Sequence, residues 1–275
     1  MTISLSSSPR RRQRRLGKMP ALVLVLTILG LLLLIAGCAK QKRREPMGAV
    51  EAWHKARGYF DRERYYRARE ILNDVVLNYP GALIIDSVQF YLARTGFELE
   101  DYITAADEFK RVVDQYPYSA LAGDAVYWQG RSYFAQSPSY QLDQEYTNKA
   151  LQSLQRFMED YPGHALTDSA YRYLALCREK LARKEYTAAS LYYDLGEYAS
   201  AILYADLVLS DYYDTPLAEP AQFLKARAFV ALREWPRARA EVETYLQKYP
   251  KGRFAVRARQ LQNGIPSAPG SASSP

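Results

Sequence analysis

The chain has 275 residues, 48% hydrophobic and 13% aromatic with 24 Tyr, which is enough apolar material to bury an extended core. Its formal charge of +7 suggests a polyanionic partner, but six of the 37 basic residues, Arg10, Arg11, Arg12, Arg14, Arg15 and Lys18, precede Cys38 with no acid among them, and the remainder carries 31 Lys and Arg against 30 Asp and Glu. That balance argues against nucleic acid as a partner, and two cysteines in unlike settings, Cys38 and Cys177, argue against a structural disulfide.

In chain order, residues 1–9 are polar and the basic cluster follows. Ala21 to Ala36 is then a 16-residue apolar run interrupted only by Thr27 and Gly30, slightly long for a signal-peptide core and short for a membrane span. Its ending decides between them. Ile35, Ala36, Gly37 and Cys38 resemble the lipobox of bacterial lipoproteins, in which small residues admit cleavage beside a thiol that is then acylated; the alternative is an uncleaved anchor helix with an incidental Cys. The resemblance implies a signal peptide over residues 1–37, lipidation at Cys38, and a lipidated N-terminus and basic tether over residues 38–48. Each buried methylene contributes about 0.8 kcal/mol, so several acyl chains hold durably where one binds reversibly, and the membrane becomes a partner through the lipid anchor. Residue 39 is Ala and not Asp, which by the sorting rule of enterobacterial lipoproteins implies the outer membrane, facing the periplasm.

From residue 49 one pattern returns five times. Tyr102, Ala105, Phe109, Val112 and Tyr116 before Pro117 follow at steps of three and four. The same ladder reads Tyr65, Ala68, Leu72, Val75, Tyr79 and Pro80; Ala150, Leu154, Phe157, Tyr161 and Pro162; Tyr198, Ala201, Ala205, Val208 and Tyr212; and Trp235, Ala238, Val242, Tyr245, Tyr249 and Pro250. Such steps form one helical stripe, the small Ala admits a neighbouring helix, and the Pro cannot continue the helix. A second helical run precedes each stripe, as from Asp86 to Phe97, so the unit is a helix pair of about 34 residues, the tetratricopeptide period. The prediction is an all-α tetratricopeptide-repeat solenoid of about five repeats over residues 49–262, with copies at 49–80, 86–117, 124–162, 183–214 and 219–250. An ordinary helical bundle predicts no common spacing. An insertion from Ala135 to Thr147 splits the third copy, a long helical pattern from Asp168 enters the fourth, and residues 263–275 read as a disordered tail.

No catalytic constellation, cofactor motif or metal-ligand spacing is legible: His54 and His164 stand alone, and Cys177 reads as a small buried residue, so the chain reads as a non-enzyme without a cofactor. The informative pattern lies on the first helix of each repeat. Trp53, Arg57 and Phe60 recur as Phe90, Arg94 and Phe97 and as Tyr127, Arg131 and Phe134, each moved by 37; later copies read Tyr186, Ser190, Tyr193 and Phe223, Arg227, Val230. In tetratricopeptide arrays this face lines the concave groove, and guanidinium forks between aromatic walls suit an extended peptide that is rich in aromatics or ends in a carboxylate. The competing reading makes the aromatics inter-repeat packing and pairs each Arg with an acid such as Asp61 or Glu98. Core packing alone gives no reason to repeat a charge.

The run from Cys177 to Tyr186, continuing through Tyr192, Tyr193, Gly196 and Tyr198, with Asp211 to Thr215, resembles the BamD family of outer-membrane assembly lipoproteins over about residues 34–250. That family usually has Pro where this chain has Tyr213. The resemblance implies an accessory of the β-barrel assembly machinery. Its N-terminal repeats would receive unfolded outer-membrane proteins, and its C-terminal repeats would dock on a BamA-like outer-membrane barrel subunit, with Tyr186, Tyr193, Phe223 and Arg227 as expected contacts. The alternative is a periplasmic repeat lipoprotein that scaffolds cell-envelope division or peptidoglycan machinery.

Overall fold

The computed structural model describes residues 47–266, and within them the chain forms eleven helices. These are α1 (Ala49–Phe60) and α2 (Tyr65–Asn78), α3 (Ile85–Glu98) and α4 (Tyr102–Gln115), α5 (Ala122–Gln136) and α6 (Glu145–Asp160), α7 (Thr167–Asp194) and α8 (Tyr198–Asp211), α9 (Ala218–Ala231) and α10 (Trp235–Lys248), and finally α11 (Ala255–Gly264). The expected signal peptide, Cys38 and most of the tether lie outside the described residues, as does the expected tail beyond Pro266. Asn263 and Gly264, assigned to that tail from sequence, close α11.

The ladders are what the second helices bury. Ala68, Leu72 and Val75, Ala105, Phe109 and Val112, Ala150, Leu154 and Phe157, Ala201, Ala205 and Val208, and Ala238, Val242 and Tyr245 are each at most 1% exposed. Small residues set the approach of each pair. A Cβ on Gly96 of α3 would stand 3.4 Å from the Ala105 Cβ of α4, and one on Gly130 of α5 would stand 2.8 Å from Leu154 Cγ of α6. Each stripe stops where expected: Tyr79, Tyr116, Tyr161 and Tyr249 leave the helix at φ between −127° and −134° and ψ between 49° and 58°, outside the α region that a following Pro disfavours. Tyr212 adopts φ −130° although its Pro stands further on at Pro216, so that stop does not depend on an adjacent Pro.

The turns inside the pairs carry a feature that composition conceals. Glu63, Glu100, Gly196 and Arg233, each two residues ahead of a second helix, all have positive φ, at 59°, 61°, 82° and 60°. In each turn the next amide bonds back to a carbonyl five residues earlier, as from Asp101 to Gly96 at 3.0 Å and from Glu197 to Tyr192 at 2.9 Å, which satisfies a helix-end carbonyl in the Schellman manner. Only Gly196 occupies that left-handed position without steric strain.

First helices touch the first helix of the next pair, α1 with α3, α3 with α5, α5 with α7 and α7 with α9, and so form a continuous inner row. The entry expected from Asp168 and the first helix of the fourth copy are one uninterrupted 28-residue helix, α7. Two clasps hold it. Arg178 Nε donates to both oxygens of Asp214 at 2.9 and 3.0 Å and its Nη2 to the Asp211 carbonyl at 2.6 Å, which holds the Asp214 carboxyl below its ordinary value. Lys180 Nζ donates to Ser137 Oγ at 2.6 Å and the Pro138 carbonyl at 3.2 Å, and Lys184 Nζ to the Leu142 carbonyl at 2.8 Å, so the insertion loop lies pinned on α7. At the far end α11 packs Ala255 and Ala258 against the cluster around Tyr245. It supplies the terminal cap that a solenoid needs and that the five-copy reading lacks.

Candidate functional site

The inner row brings Arg57, Arg94 and Arg131 onto consecutive helices α1, α3 and α5, each seated on a ring from the next first helix. Arg57 lies over Tyr91 at 4.3 Å, Arg94 over Trp128 at 3.7 Å and Arg131 over Tyr173 at 4.1 Å. Rings from the preceding repeat approach from the other side, Phe60 at 5.8 Å from Arg94 and Phe97 at 5.7 Å from Arg131. Edge contacts join ring to ring along the row, at 5.1 Å for Trp53 with Tyr91 and Phe60 with Tyr91, 5.0 Å for Phe97 with Trp128 and 5.1 Å for Phe134 with Tyr173. Cation and ring thus alternate across successive repeats, where each contact adds about 0.5 to 2 kcal/mol by its degree of desolvation.

The sequence pattern named only part of this set. Tyr91, Trp128 and Tyr173 escaped it; the step of 37 from Tyr91 to Trp128 was a legible signal, whereas the insertion shifts Tyr173 out of register. Conversely, Phe90 and Tyr127 are not groove walls. They are 4% and 2% exposed because they point toward the second helices, where they meet Phe109 at 5.6 Å and Phe157 at 5.7 Å. Trp53, Phe60, Phe97 and Phe134 remain half-buried.

Part of the charge is neutralised within the row. Arg57 Nε meets Asp61 at 2.9 Å and Arg94 Nη2 meets Glu98 at 2.9 Å, the two acids that the packing alternative requires. The Arg57 side chain is still 43% exposed and that of Arg94 22%, so both present charge and ring to the surface while bridging repeats. Arg94 Nε is buried without a hydrogen-bond partner.

In the C-terminal half, α7 and α9 bring together Tyr186, Tyr193 and Arg227, with Arg227 over the Tyr193 ring at 4.3 Å. Burial pushes the Tyr186 hydroxyl pKa up, opposed by the nearby cations Arg253 and Arg227. Phe223, grouped with them from sequence, is 7% exposed and stacks on Phe254 at 4.7 Å, so it belongs to the core beneath. Cys177 is fully buried, and desolvation pushes its thiol up to about 12, which removes the thiolate that nucleophilic chemistry needs. Among the described residues no His, Cys, Asp and Glu cluster could hold a metal ion; His54 is exposed, and His164 sits 3.7 Å from Asp124. What this arrangement offers is an extended row of forks and rings suited to binding.

A family model described as YfiO, outer membrane lipoprotein, matches residues 46–234. No curated protein matches the sequence. Among solved structures the chain is similar to the TPR2AB-domain:pHSP90 complex of yeast Sti1, at 12% identity and a TM-score of 0.37 over 78% of this chain and 97% of that one. It is similar also to the MamA protein, at 16% identity and a TM-score of 0.38 over 74% and 92%. A third is TTC0263, a thermophilic TPR protein of Thermus thermophilus, at 17% identity and a TM-score of 0.35 over 78% and 98%.

Proposed function

We propose, since the chain belongs to the YfiO (BamD) family of outer membrane lipoproteins, that it is a lipid-anchored periplasmic scaffold of the outer-membrane β-barrel assembly machinery. In this reading residues 1–37 are removed, Cys38 carries the lipid, and the repeat domain binds unfolded outer-membrane proteins and a BamA-like barrel subunit to promote insertion. Among the described residues no helix is long and apolar enough to cross a membrane; in this reading the lipid on Cys38 makes the attachment.

The observation that carries the reading is the alternation of Arg and ring along α1, α3, α5 and α7. Barrel strands alternate apolar and polar residues and bear aromatic girdles at both interfaces. An unfolded strand therefore offers rings for Tyr91, Trp128 and Tyr173 and backbone carbonyls for the guanidinium forks. The cluster of Tyr186, Tyr193 and Arg227 is the proposed docking face for the barrel subunit, and no step of this role requires catalysis.

The test is the composition of the complex purified from detergent-solubilised envelopes through a C-terminal tag. Co-purification of a BamA-like barrel protein, reduced by replacing Tyr193 and Arg227 with Ala, is the expected result. Recovery of peptidoglycan enzymes with no barrel subunit would transfer the chain to the division or peptidoglycan reading.

A further inference from the structure

Among the three Arg of α1, α3 and α5, Arg131 differs from Arg57 and Arg94 in one respect, which it shares with Arg227 of the C-terminal cluster, followed four residues later by Ala231. One helical turn beyond Arg57 and Arg94 stand Asp61 and Glu98, each paired with its Arg at 2.9 Å. The same offset from Arg131 is Ala135, exposed near the end of α5. Among the described residues no carboxylate lies within ion-pair distance of Arg131. The side chain is nevertheless half-buried. It lies 4.1 Å from the Tyr173 ring, 5.2 Å from Trp128 and 5.7 Å from Phe97. Its Nη1 donates to Tyr127 Oη at 3.0 Å, a neutral acceptor that is also within 2.7 Å of Ser169 Oγ.

A cation held partly out of water among rings and one hydroxyl is incompletely compensated. Its fork has unused donors in a geometry that fits the two oxygens of a carboxylate. The repeats supply their own control, because the same Arg on the same face is neutralised in cis wherever an acid stands four residues later.

We infer that Arg131 is the carboxylate-binding position of the N-terminal stretch of the inner row, α1, α3 and α5, where an extended polypeptide supplies in trans the group that Asp61 and Glu98 supply in cis to Arg57 and Arg94. This rests on the reading of the inner row as a peptide groove. The carboxylate comes from a chain terminus or from an acidic side chain, and Phe97, Trp128 and Tyr173 hold an aromatic residue beside it.

The test uses three rhodamine-labelled peptides of about ten residues that alternate Thr and Tyr and end in Phe: the free acid, its amide, and the amide with Glu before the Phe. Binding is read by fluorescence anisotropy. The parent should prefer at least one carboxylate-bearing peptide over the plain amide by roughly tenfold or more; preference for the free acid alone assigns a terminus, and equal preference for both assigns any carboxylate. Ala135→Glu, which installs the missing acid on an exposed position, should abolish that preference while the plain amide binds as before. Ala135→Gln should retain it. Asp61→Ala should create a second carboxylate-preferring position at Arg57 and strengthen acid binding further.

Undiminished preference in Ala135→Glu, or equal affinity of the parent for all three peptides, overturns the inference and leaves the groove standing. Failure of every peptide to bind the parent overturns the groove reading together with the inference. Equal peptide affinities combined with phosphatidylglycerol vesicle binding that Ala135→Glu removes would overturn it in favour of a lipid headgroup.

Discussion

Replacing Ala105 with Leu tests the packing of the repeats at a close approach of two helices. Ala105 on α4 is fully buried, and the backbone it faces on α3 is Gly96, where even an added methyl would stand only 3.4 Å from the Ala105 Cβ. Leu adds three carbons to a gap that admits one, and the surrounding Phe90, Phe109 and Val112 are themselves buried and unable to swing away. Overpacking of this kind costs about 1 to 3 kcal/mol. For a domain of this size each kcal/mol lowers the melting temperature by about 2 to 4 °C, so the expected fall is about 2 to 12 °C. The assay is a thermal melt followed by far-ultraviolet circular dichroism, with Thr104→Leu as the exposed neighbour, expected to change stability by no more than about 0.5 kcal/mol. A melt for Ala105→Leu that matches the parent, or that falls no further than Thr104→Leu, would refute the proposed register of α3 against α4.

Glu100→Gly should stabilise the protein by up to about 1 kcal/mol, visible as a higher urea midpoint, because Glu100 sits at φ 61° where a Cβ is strained. Asp214 has a depressed carboxyl pKa, so its clasp with Arg178 contributes stability above the ordinary value of 3.8 and loses it as pH falls through the lower folded value. Asp214→Asn should therefore melt below the parent at neutral pH, with the difference closing as the pH falls below the ordinary carboxyl value of 3.8 and through the lower folded one; a difference that persists once the carboxyl is protonated would show that the clasp is not electrostatic. Cys177, fully buried with its thiol pushed up to about 12, should resist iodoacetamide at pH 8 in the native protein and react in urea, as read by mass spectrometry.

What was legible in the sequence follows from what constrains it. A buried stripe permits few residue types at each step, so Ala105, Phe109 and Val112 and their equivalents declared both helix and register, and the recurring Tyr-Pro marked the stops. The turns were opaque because Glu63, Glu100 and Arg233 accept a left-handed conformation that tertiary packing imposes and side-chain identity does not advertise. The terminal helix α11 was opaque for a related reason: Ala255 and Ala258 form too short a stripe to declare a helix, so residues 251–262 entered the repeat domain with no element of their own. At the inner row, periodicity placed the three Arg on one face but could not show which way each neighbouring ring turns. Phe90 and Tyr91 differ by one residue, about 100° around the helix, and that rotation sends the first into the core and the second under Arg57. The acids beside Arg57 and Arg94 were visible at the four-residue step, yet their meaning emerges only beside Arg131, where the step reaches Ala135.

The proposed path of an unfolded substrate is most directly tested by site-specific photocrosslinking in the envelope. A photoreactive residue is placed in turn at Arg57, Arg94 and Arg131 on the inner row, and at Arg67, Arg111 and Arg156, exposed on the second helices. During synthesis of an outer-membrane barrel protein, the inner-row positions should form adducts with it that disappear as the barrel matures, and the second-helix positions should form none. Equal adducts from both rows, or adducts from the second helices alone, would contradict the assignment of the inner row as the substrate groove.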